Sequence, residues 1–197
     1  MSGIAGIWNQ NAAPVDPAIL GRMSATLAHR GPDGEGLWVE GAVGLSCRLN
    51  RVTPESAGET QPLLHSSGAV LVFDGRLDNR DEVVAACRDS SPVGRDSPDP
   101  ALVLAAYHQW GDAFPEHLTG DFALALWDPR RHRLLLVRDA IGVRPLYYCR
   151  VGATFLFASE IKALLAHPDF VARPDEDHLA ELLLGAYPQD DRGLTFF

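Results

Sequence analysis

The chain has 197 residues, of which 46% are hydrophobic and 22% charged, and its formal net charge is −9. This hydrophobic share excludes a disordered chain, and the length suffices for a domain with a sizeable core. The acidic balance excludes nucleic acid and anionic membrane surfaces as main partners, because both attract clustered Lys and Arg. No apolar run approaches the roughly 20 residues of a membrane span, and no signal-peptide pattern opens the chain. We therefore expect a cytoplasmic protein.

The cysteines Cys47, Cys87 and Cys149 are widely spaced and form no C-x-x-C motif. This spacing excludes a zinc ribbon or a thioredoxin-type motif and fits a reducing compartment. The seven histidines are scattered as well, so we expect no metal site. The three thiols are expected to be small buried side chains rather than nucleophiles.

Apolar periodicity, caps and turn residues predict short strands alternating with helices. A glycine-rich apolar strand opens the chain, a helix starts at Asp16-Pro17, and Asp74-Gly75 is expected to end the fourth strand. Asp99-Pro100 repeats the Asp-Pro helix start, and Gly111 ends that helix. The predicted strands are 3–8, 37–39, 43–49, 69–73, 122–127, 134–137, 146–149 and 154–158. The predicted helices are 17–27, 79–86, 99–110, 160–165 and 175–184.

This order lacks the regular strand–helix alternation of a parallel sheet. It favours an α+β fold in which antiparallel sheets carry helices on their outer faces. The turn at residues 30–33 and the pair Arg138 and Asp139 are expected to have structural roles. The apolar tail 194–197 has no capping signal, so we expect the chain to be cut inside an element.

Four motifs resemble those of the asparagine synthetase family, and they occur in the family's order. They are M-S-G-I-A-G-I-W (1–8), H-R-G-P-D (29–33), R-D-A-I-G-V-R-P-L-Y-Y (138–148) and F-A-S-E-I-K-A-L (157–164). The resemblance implies a class II glutamine amidotransferase domain over residues 1–168, with an N-terminal-nucleophile (Ntn-hydrolase-like) αββα sandwich of two antiparallel sheets between helical layers. Residues 169–197 would be a linker and the truncated start of a ligase domain.

The resemblance also implies partners. The family's ligase domain follows the amidotransferase domain, begins with an S-G-G-x-D-S loop and uses ATP and Mg²⁺, so we expect no cofactor in this fragment itself. The expected partners are that ligase domain, fused or separate, and glutamine. A homodimer is a further expectation.

Two substitutions stand at the family's reaction centre. The family's nucleophilic Cys falls on Ser2, and the Asn-Gly pair that holds the oxyanion falls on Asp74 and Gly75. A hydroxyl is harder to ionise than a thiol, and a carboxylate repels the negative charge that develops in the reaction. Loss of one oxyanion donor costs roughly 10²–10³ in rate. We therefore expect glutamine hydrolysis to be lost.

The residues that bind the α-carboxylate and α-amine of glutamine in the family map onto Arg48 and Asp99. Arg76 is a further candidate for substrate binding.

Two alternative functions stay open. One is an active glutaminase that uses Ser2 as the N-terminal nucleophile, and the other is an engineered knock-out of an active enzyme, against which Asp74 counts.

Two short stretches, T-P-E-S at 53–56 and R-L-D-N-R-D-E at 76–82, resemble asparagine-synthetase homologues of lasso-peptide pathways. Those cyclases form an isopeptide bond with ATP and need no ammonia, which would account for a disused glutaminase. β-Lactam synthetase is another homologue with a disused glutaminase domain. The resemblance thus implies an ATP-dependent amide-forming parent enzyme.

Overall fold

The computed structural model describes residues 1–184, except the side chains at 178, 181 and 182. This part of the chain forms nine strands and five α-helices, with short 3-10 helices at Pro54–Ser56 and Gly111–His117. The strands are β1 Gly3–Asn9, β2 Gly34–Glu40, β3 Val43–Leu49, β4 Leu63–Leu64, β5 Val70–Leu77, β6 Gly120–Asp128, β7 Arg133–Arg138, β8 Tyr147–Val151 and β9 Thr154–Ala158. The helices are α1 Pro17–Ala25, α2 Arg80–Cys87, α3 Asp99–Trp110, α4 Ile161–Leu165 and α5 Glu176–Leu183.

The strands form two sheets in which every pairing is antiparallel. The five-stranded sheet has the order β2-β3-β1-β9-β8, and the four-stranded sheet has the order β4-β5-β6-β7. In the first sheet β1 lies at the centre, with Gly3 opposite Arg48 of β3 and Ala5 opposite Ala158 of β9. In the second sheet Asp74 of β5 lies opposite Ala123 of β6. The start of the chain is therefore a buried central strand.

Three apolar clusters define the layers. One fills the space between the two sheets, a second packs α1 and α4 on the five-stranded sheet, and a third packs α2 and α3 on the four-stranded sheet. The order of the layers is helix, sheet, sheet, helix. The predicted α+β sandwich of two antiparallel sheets is confirmed.

Several predicted boundaries are confirmed, each with an identifiable cause. The Asp16 carboxylate accepts a 2.8 Å hydrogen bond from the Ala18 N–H and caps α1. Gly111 ends α3 with a φ of 58°, a conformation that glycine adopts without steric cost. The predicted tail at 194–197 lies outside the described residues.

The prediction that Asp74-Gly75 ends a strand is wrong, because β5 continues through both residues to Leu77. A Cβ at Gly75 would lie 2.3 Å from the Asp121 carbonyl oxygen, so this glycine permits close contact with β6. The short strand β4 and both 3-10 helices were not predicted. Helix α3 already includes Asp99, and Pro98 occupies the cap position.

Candidate functional site

Ser2 immediately precedes β1, and its hydroxyl and carbonyl groups both have hydrogen-bond partners. The Ser2 hydroxyl oxygen accepts a hydrogen bond from the backbone N–H of Asn50 at 3.1 Å. The Ser2 carbonyl oxygen accepts one from Arg30 Nε at 2.7 Å. These contacts hold residue 2 between the end of β3 and the segment after α1, so its position is set by the sandwich rather than by its own neighbours in sequence.

Asp74 lies on the face of β5 that points between the two sheets, and it is only 1% exposed. Its Oδ2 accepts a 2.9 Å hydrogen bond from Arg30 Nη2, and Arg144 Nη1 lies 3.9 Å from its Oδ1. Among the described residues, Oδ1 has no hydrogen-bond partner. A buried carboxylate therefore occupies the position where the resemblance expects an amide donor.

Arg30 joins Ser2 to the charged groups around it. Besides Ser2 and Asp74, its guanidinium reaches Glu160 through a 3.1 Å contact between Nη1 and Oε1. Glu160, just before α4, also contacts His29 at 2.9 Å and Lys162 at 3.0 Å. A single buried guanidinium thus links β1, β5 and the start of α4.

The protonation of Asp74 follows from two opposed effects. Burial raises the pKa of Asp74 above its usual value, because it penalises the charged form. The positive charges of Arg30 and Arg144, and the hydrogen bond from Arg30, oppose this rise and favour the ionised form, but the net shift of the Asp74 pKa stays upward. The carboxylate can accept hydrogen bonds at this site, but an ionised carboxylate cannot donate one to an oxyanion.

Arg48 and Asp99, the two residues matched to glutamine binding, contact different layers of the sandwich. Arg48 forms a 2.7 Å ion pair with Glu35 and donates from Nε to the Ser24 carbonyl of α1 at 3.3 Å. Asp99 accepts a 2.9 Å hydrogen bond from the Leu77 N–H. Each side chain therefore already has intramolecular partners, Arg48 on the side of the five-stranded sheet and Asp99 on the side of the four-stranded sheet.

Two further arginines, Arg80 and Arg76, lie near these residues and form ion pairs with aspartates. Asp99 also pairs with Arg80, which sequence reasoning did not single out. Arg76, the further candidate for substrate binding, is half-exposed and lies 3.5 Å from both Asp78 and Asp121.

Asp139 organises the loop that carries Arg144. Its carboxylate accepts hydrogen bonds from the N–H groups of Val143 at 2.9 Å and Arg144 at 3.0 Å. Burial on its own raises the pKa of Asp139, but these backbone donors outweigh it and hold the pKa below its usual value. These bonds fix the loop that carries Arg144 to its position beside Asp74.

A stability prediction follows from this lowered pKa. A carboxyl group with a lowered folded pKa stabilises the fold above its unfolded pKa of about 3.9, and the stabilisation is lost as the pH falls through the folded value. We expect Asp139→Asn to lower the free energy of unfolding by about 1–3 kcal/mol at pH 7, with the deficit shrinking below about pH 4. Urea unfolding of both proteins across this pH range measures it, and a deficit independent of pH would contradict it.

The sequence did not identify Arg30 or Arg144 as members of the site. Arg30 was expected to belong to a structural turn, and Arg144 lies inside a motif that gave no role for it. The sequence feature that could have pointed to these two arginines is their position in the stretches 29–33 and 138–148, which resemble motifs of the family. Only the packing of the two sheets shows that both side chains reach Asp74.

All three cysteines lie within the described residues, 1–184. Cys47 and Cys87 are buried and Cys149 is half-buried, and burial raises the pKa of all three thiols. No group of three or more His, Cys, Asp or Glu in residues 1–184 is arranged to hold a metal ion. Within the same range, no helix is both long and apolar enough to cross a bilayer.

The fold resembles that of solved amidotransferases. Glutamine phosphoribosylpyrophosphate (PRPP) amidotransferase from B. subtilis, complexed with ADP and GMP, superposes with a TM-score of 0.68 at 20% identity. The match covers 83% of this chain and 43% of that chain. At this identity the likeness shows the fold, an Ntn-type amidotransferase sandwich.

Residues 1–196 match the glutamine amidotransferase domain family, and the chain belongs to that family. It is 34% identical to asparagine synthetase [glutamine-hydrolyzing] 3 of Bacillus subtilis (strain 168) over 181 residues, which is 90% of this chain and 29% of that protein. It is 35% identical to the amidase chry2 of Gibberella zeae over 158 residues, covering 77% of this chain and 23% of that protein. The chain thus spans less than a third of the length of these relatives.

Proposed function

We propose that the chain is a glutamine amidotransferase-type domain that no longer hydrolyses glutamine and serves as the structural partner of an ATP-dependent, amide-forming ligase domain. The observation that carries this proposal is the buried Asp74 carboxylate, held by Arg30 at the position of the oxyanion-binding amide. Hydrolysis of a carboxamide develops negative charge on its oxygen, and a neighbouring carboxylate opposes that charge.

The glutamine-binding residues support the same proposal. Arg48 is paired with Glu35, and Asp99 is paired with Arg80. A bound amino acid would have to compete with these intramolecular partners for both charges. We therefore expect glutamine to bind weakly even before its hydrolysis is considered.

The direct test is ammonia release from glutamine. We expect no release above a blank without protein, and no change in Ser2→Ala, because the reaction centre lacks a competent oxyanion site. Mass spectrometry of the N-terminus accompanies the assay, since Ser2 has a free amine only when Met1 is removed. Ammonia release that Ser2→Ala abolishes would contradict the proposal.

A second candidate is an active hydrolase with Ser2 as the N-terminal nucleophile. The observation that favours it is Arg144, whose Nε and Nη1 have no hydrogen-bond partner among the described residues. Its Nη1 lies 3.9 Å from Asp74 Oδ1. Positively charged donors of this kind stabilise an oxyanion. The same ammonia assay separates the two candidates, and Arg144→Met would abolish the release that this candidate requires.

The loop after β7 is where we propose that the ligase domain docks. Its Ile141 is 90% exposed and its Val143 is 48% exposed, close to Arg144 of the charged site. These two exposed aliphatic side chains would form the apolar centre of the contact, with the neighbouring charged residues at its edge. The relatives named asparagine synthetase are more than three times longer than the matched segment, which leaves room for such a domain.

Docking at this loop gives a measurable expectation. Ile141→Asp should weaken association with the ligase domain by roughly tenfold or more, because it places a charge in an apolar contact, while Leu64→Asp on β4 should leave it unchanged. Both residues are exposed, so neither substitution should affect the fold. Analytical ultracentrifugation of the two domains measures the affinity, and equal effects of the two variants would contradict this docking site.

The chemistry that we propose for the parent enzyme is activation of a carboxylate with ATP and Mg²⁺ in the ligase domain, followed by amide or isopeptide formation. A lasso-peptide cyclase is the specific form, because it needs no ammonia and so tolerates Ser2 and Asp74. The coding sequence adjoining position 197 tests this part. An S-G-G-x-D-S loop there supports the ligase, and its absence from every neighbouring reading frame contradicts it.

A further inference from the structure

A cavity of about 330 Å³ lies on the helical side of the four-stranded sheet, away from the Ser2 site. It is bounded by α2, the end of α3 and the 3-10 helix that follows α3. Its apolar wall is formed by Val83, Ala86 and Trp110. The Trp110 ring stacks on His117, with ring centroids 4.0 Å apart and an interplanar angle of 10°. The cavity therefore has a fixed aromatic wall.

The two sides of this cavity are joined by Asn79. Its Nδ2 donates to the His117 carbonyl oxygen at 3.0 Å, and its Oδ1 accepts from the Thr119 N–H at 2.9 Å. These bonds tie the start of α2 to the segment before β6. A ligand would enter a preformed site and would not have to order its walls, which favours affinity.

The rim of this cavity carries negative charge. Glu82 and Glu116 line the cavity, and neither forms an ion pair within residues 1–184. A second cavity of about 410 Å³ shares Asn79 and Glu82 with the first and adds Glu55, which likewise has no ion pair within that range. The ligand that matches these walls carries positive charge on an apolar stem.

The cations around the second cavity are already engaged. Arg80 pairs with Asp99 and also donates to the Ser97 carbonyl at 2.7 Å, and Arg95 pairs with Asp81 at 3.1 Å. Both arginines therefore already form ion pairs with aspartates of this chain. Both arginines line the second cavity and the charge of Arg80 also acts on Glu55, but the carboxylates that line this cavity outnumber them. These carboxylates are Glu55, Asp78, Asp81 and Glu82.

We propose that the two cavities bind a basic peptide segment, with one Lys or Arg side chain against Trp110 between Glu82 and Glu116 and a second beside Glu55. Cations prefer the face of Trp among aromatic rings, and the methylene stem of Lys or Arg suits an apolar wall. Two adjoining cavities accommodate side chains of neighbouring residues on one backbone, which distinguishes a peptide from a single free amine. The net charge of −9 favours encounter with such a segment. This site is independent of the proposed amidotransferase-like role.

The test is a titration of the whole chain with the peptide acetyl-Lys-Gly-Lys-amide. We expect one peptide bound per chain by calorimetry, a shift of the Trp110 indole N–H resonance, and weaker binding as salt is raised. The double variant Glu82→Gln/Glu116→Gln should weaken binding roughly tenfold, because two charge contacts are removed. Glu40→Gln, at the exposed end of β2, is the matched control and should leave the affinity unchanged.

Each other outcome overturns the proposal. An absent titration signal, or equal affinity in the double variant, removes the site. Equally tight binding of acetyl-Leu-Gly-Leu-amide shows that charge does not select the ligand, and equally tight binding of spermidine shows a free-amine site rather than a peptide site. We expect Trp110→Leu to weaken peptide binding threefold or more. If the Trp110→Leu protein does not fold, the Glu82→Gln/Glu116→Gln variant still tests the proposal.

Discussion

The double substitution Ser2→Cys/Asp74→Asn is expected to produce glutamine hydrolysis, whereas Ser2→Cys alone restores little. The thiol supplies a better nucleophile, and the Asn amide supplies the missing donor to the oxyanion. Because one such donor is worth roughly 10²–10³ in rate, we expect the double variant to exceed Ser2→Cys by about that factor. Glutamine-dependent ammonia release, with the N-terminus checked by mass spectrometry, measures the difference.

The informative control is Asp74→Asn with Ser2 retained. If Asp74 is the main obstacle, this variant gains slight activity that Ser2→Ala then removes. A Ser2→Cys variant as active as the double variant would show that the carboxylate is tolerated and would contradict the role given to Asp74. Removal of the partners of the binding residues, for example Glu35→Gln, should then lower KM for glutamine in the double variant without changing kcat.

The substitution Arg30→Met is expected to destabilise the fold by about 3–5 kcal/mol, because it leaves Asp74 buried without its hydrogen-bonded cation. Arg30 is also the donor to the Ser2 carbonyl, so the start of β1 loses a contact in the same step. Chemical denaturation measured as the free energy of unfolding checks this. The exposed pair of Arg95 and Asp81 gives the control: Arg95→Met should cost less than about 1 kcal/mol.

A double-mutant cycle separates the ion pair from other effects of Arg30. When Asp74→Leu removes the carboxylate as well, the loss in Arg30→Met/Asp74→Leu should be smaller than in Arg30→Met alone, because no buried charge remains unpaired. Strictly additive losses would show that Arg30 stabilises the protein without Asp74. Additive losses would also contradict the assignment of Asp74 as an anion held by Arg30.

Both experiments test whether Asp74 has a structural role in place of a catalytic one. In a glutaminase the position of Asp74 serves the transition state, and its side chain must be free to donate a hydrogen bond. Here the side chain accepts one from Arg30 and connects β5 to the segment after α1. A buried ion pair of this kind resists single substitutions, because removal of either partner leaves an uncompensated charge. A return to efficient catalysis therefore requires more than one change.

Much of the fold could be predicted because its signals are local. The Asp-Pro start of α1, the glycine at the end of α3 and the short apolar strands are properties of neighbouring residues. The continuation of β5 through Asp74-Gly75 was missed, because this pair usually signals a turn. The contact of Gly75 with β6 and the ion pair of Asp74 override that preference, and both involve residues distant in sequence.

The sequence by itself determined the fold class, the family resemblance and the positions where Ser2 and Asp74 depart from it, since these depend on residue types in order. Only the tertiary structure decided which side chains meet there. Arg30 and Arg144 come from segments more than 100 residues apart and converge on Asp74 because the two sheets pack face to face. Likewise, Arg48 and Asp99 have separate partners, because Arg48 lies on a strand of the five-stranded sheet and Asp99 on a helix packed against the four-stranded sheet. Such contacts depend on strand order and on the packing of the sheets, and neither can be read from the order of residue types along the chain.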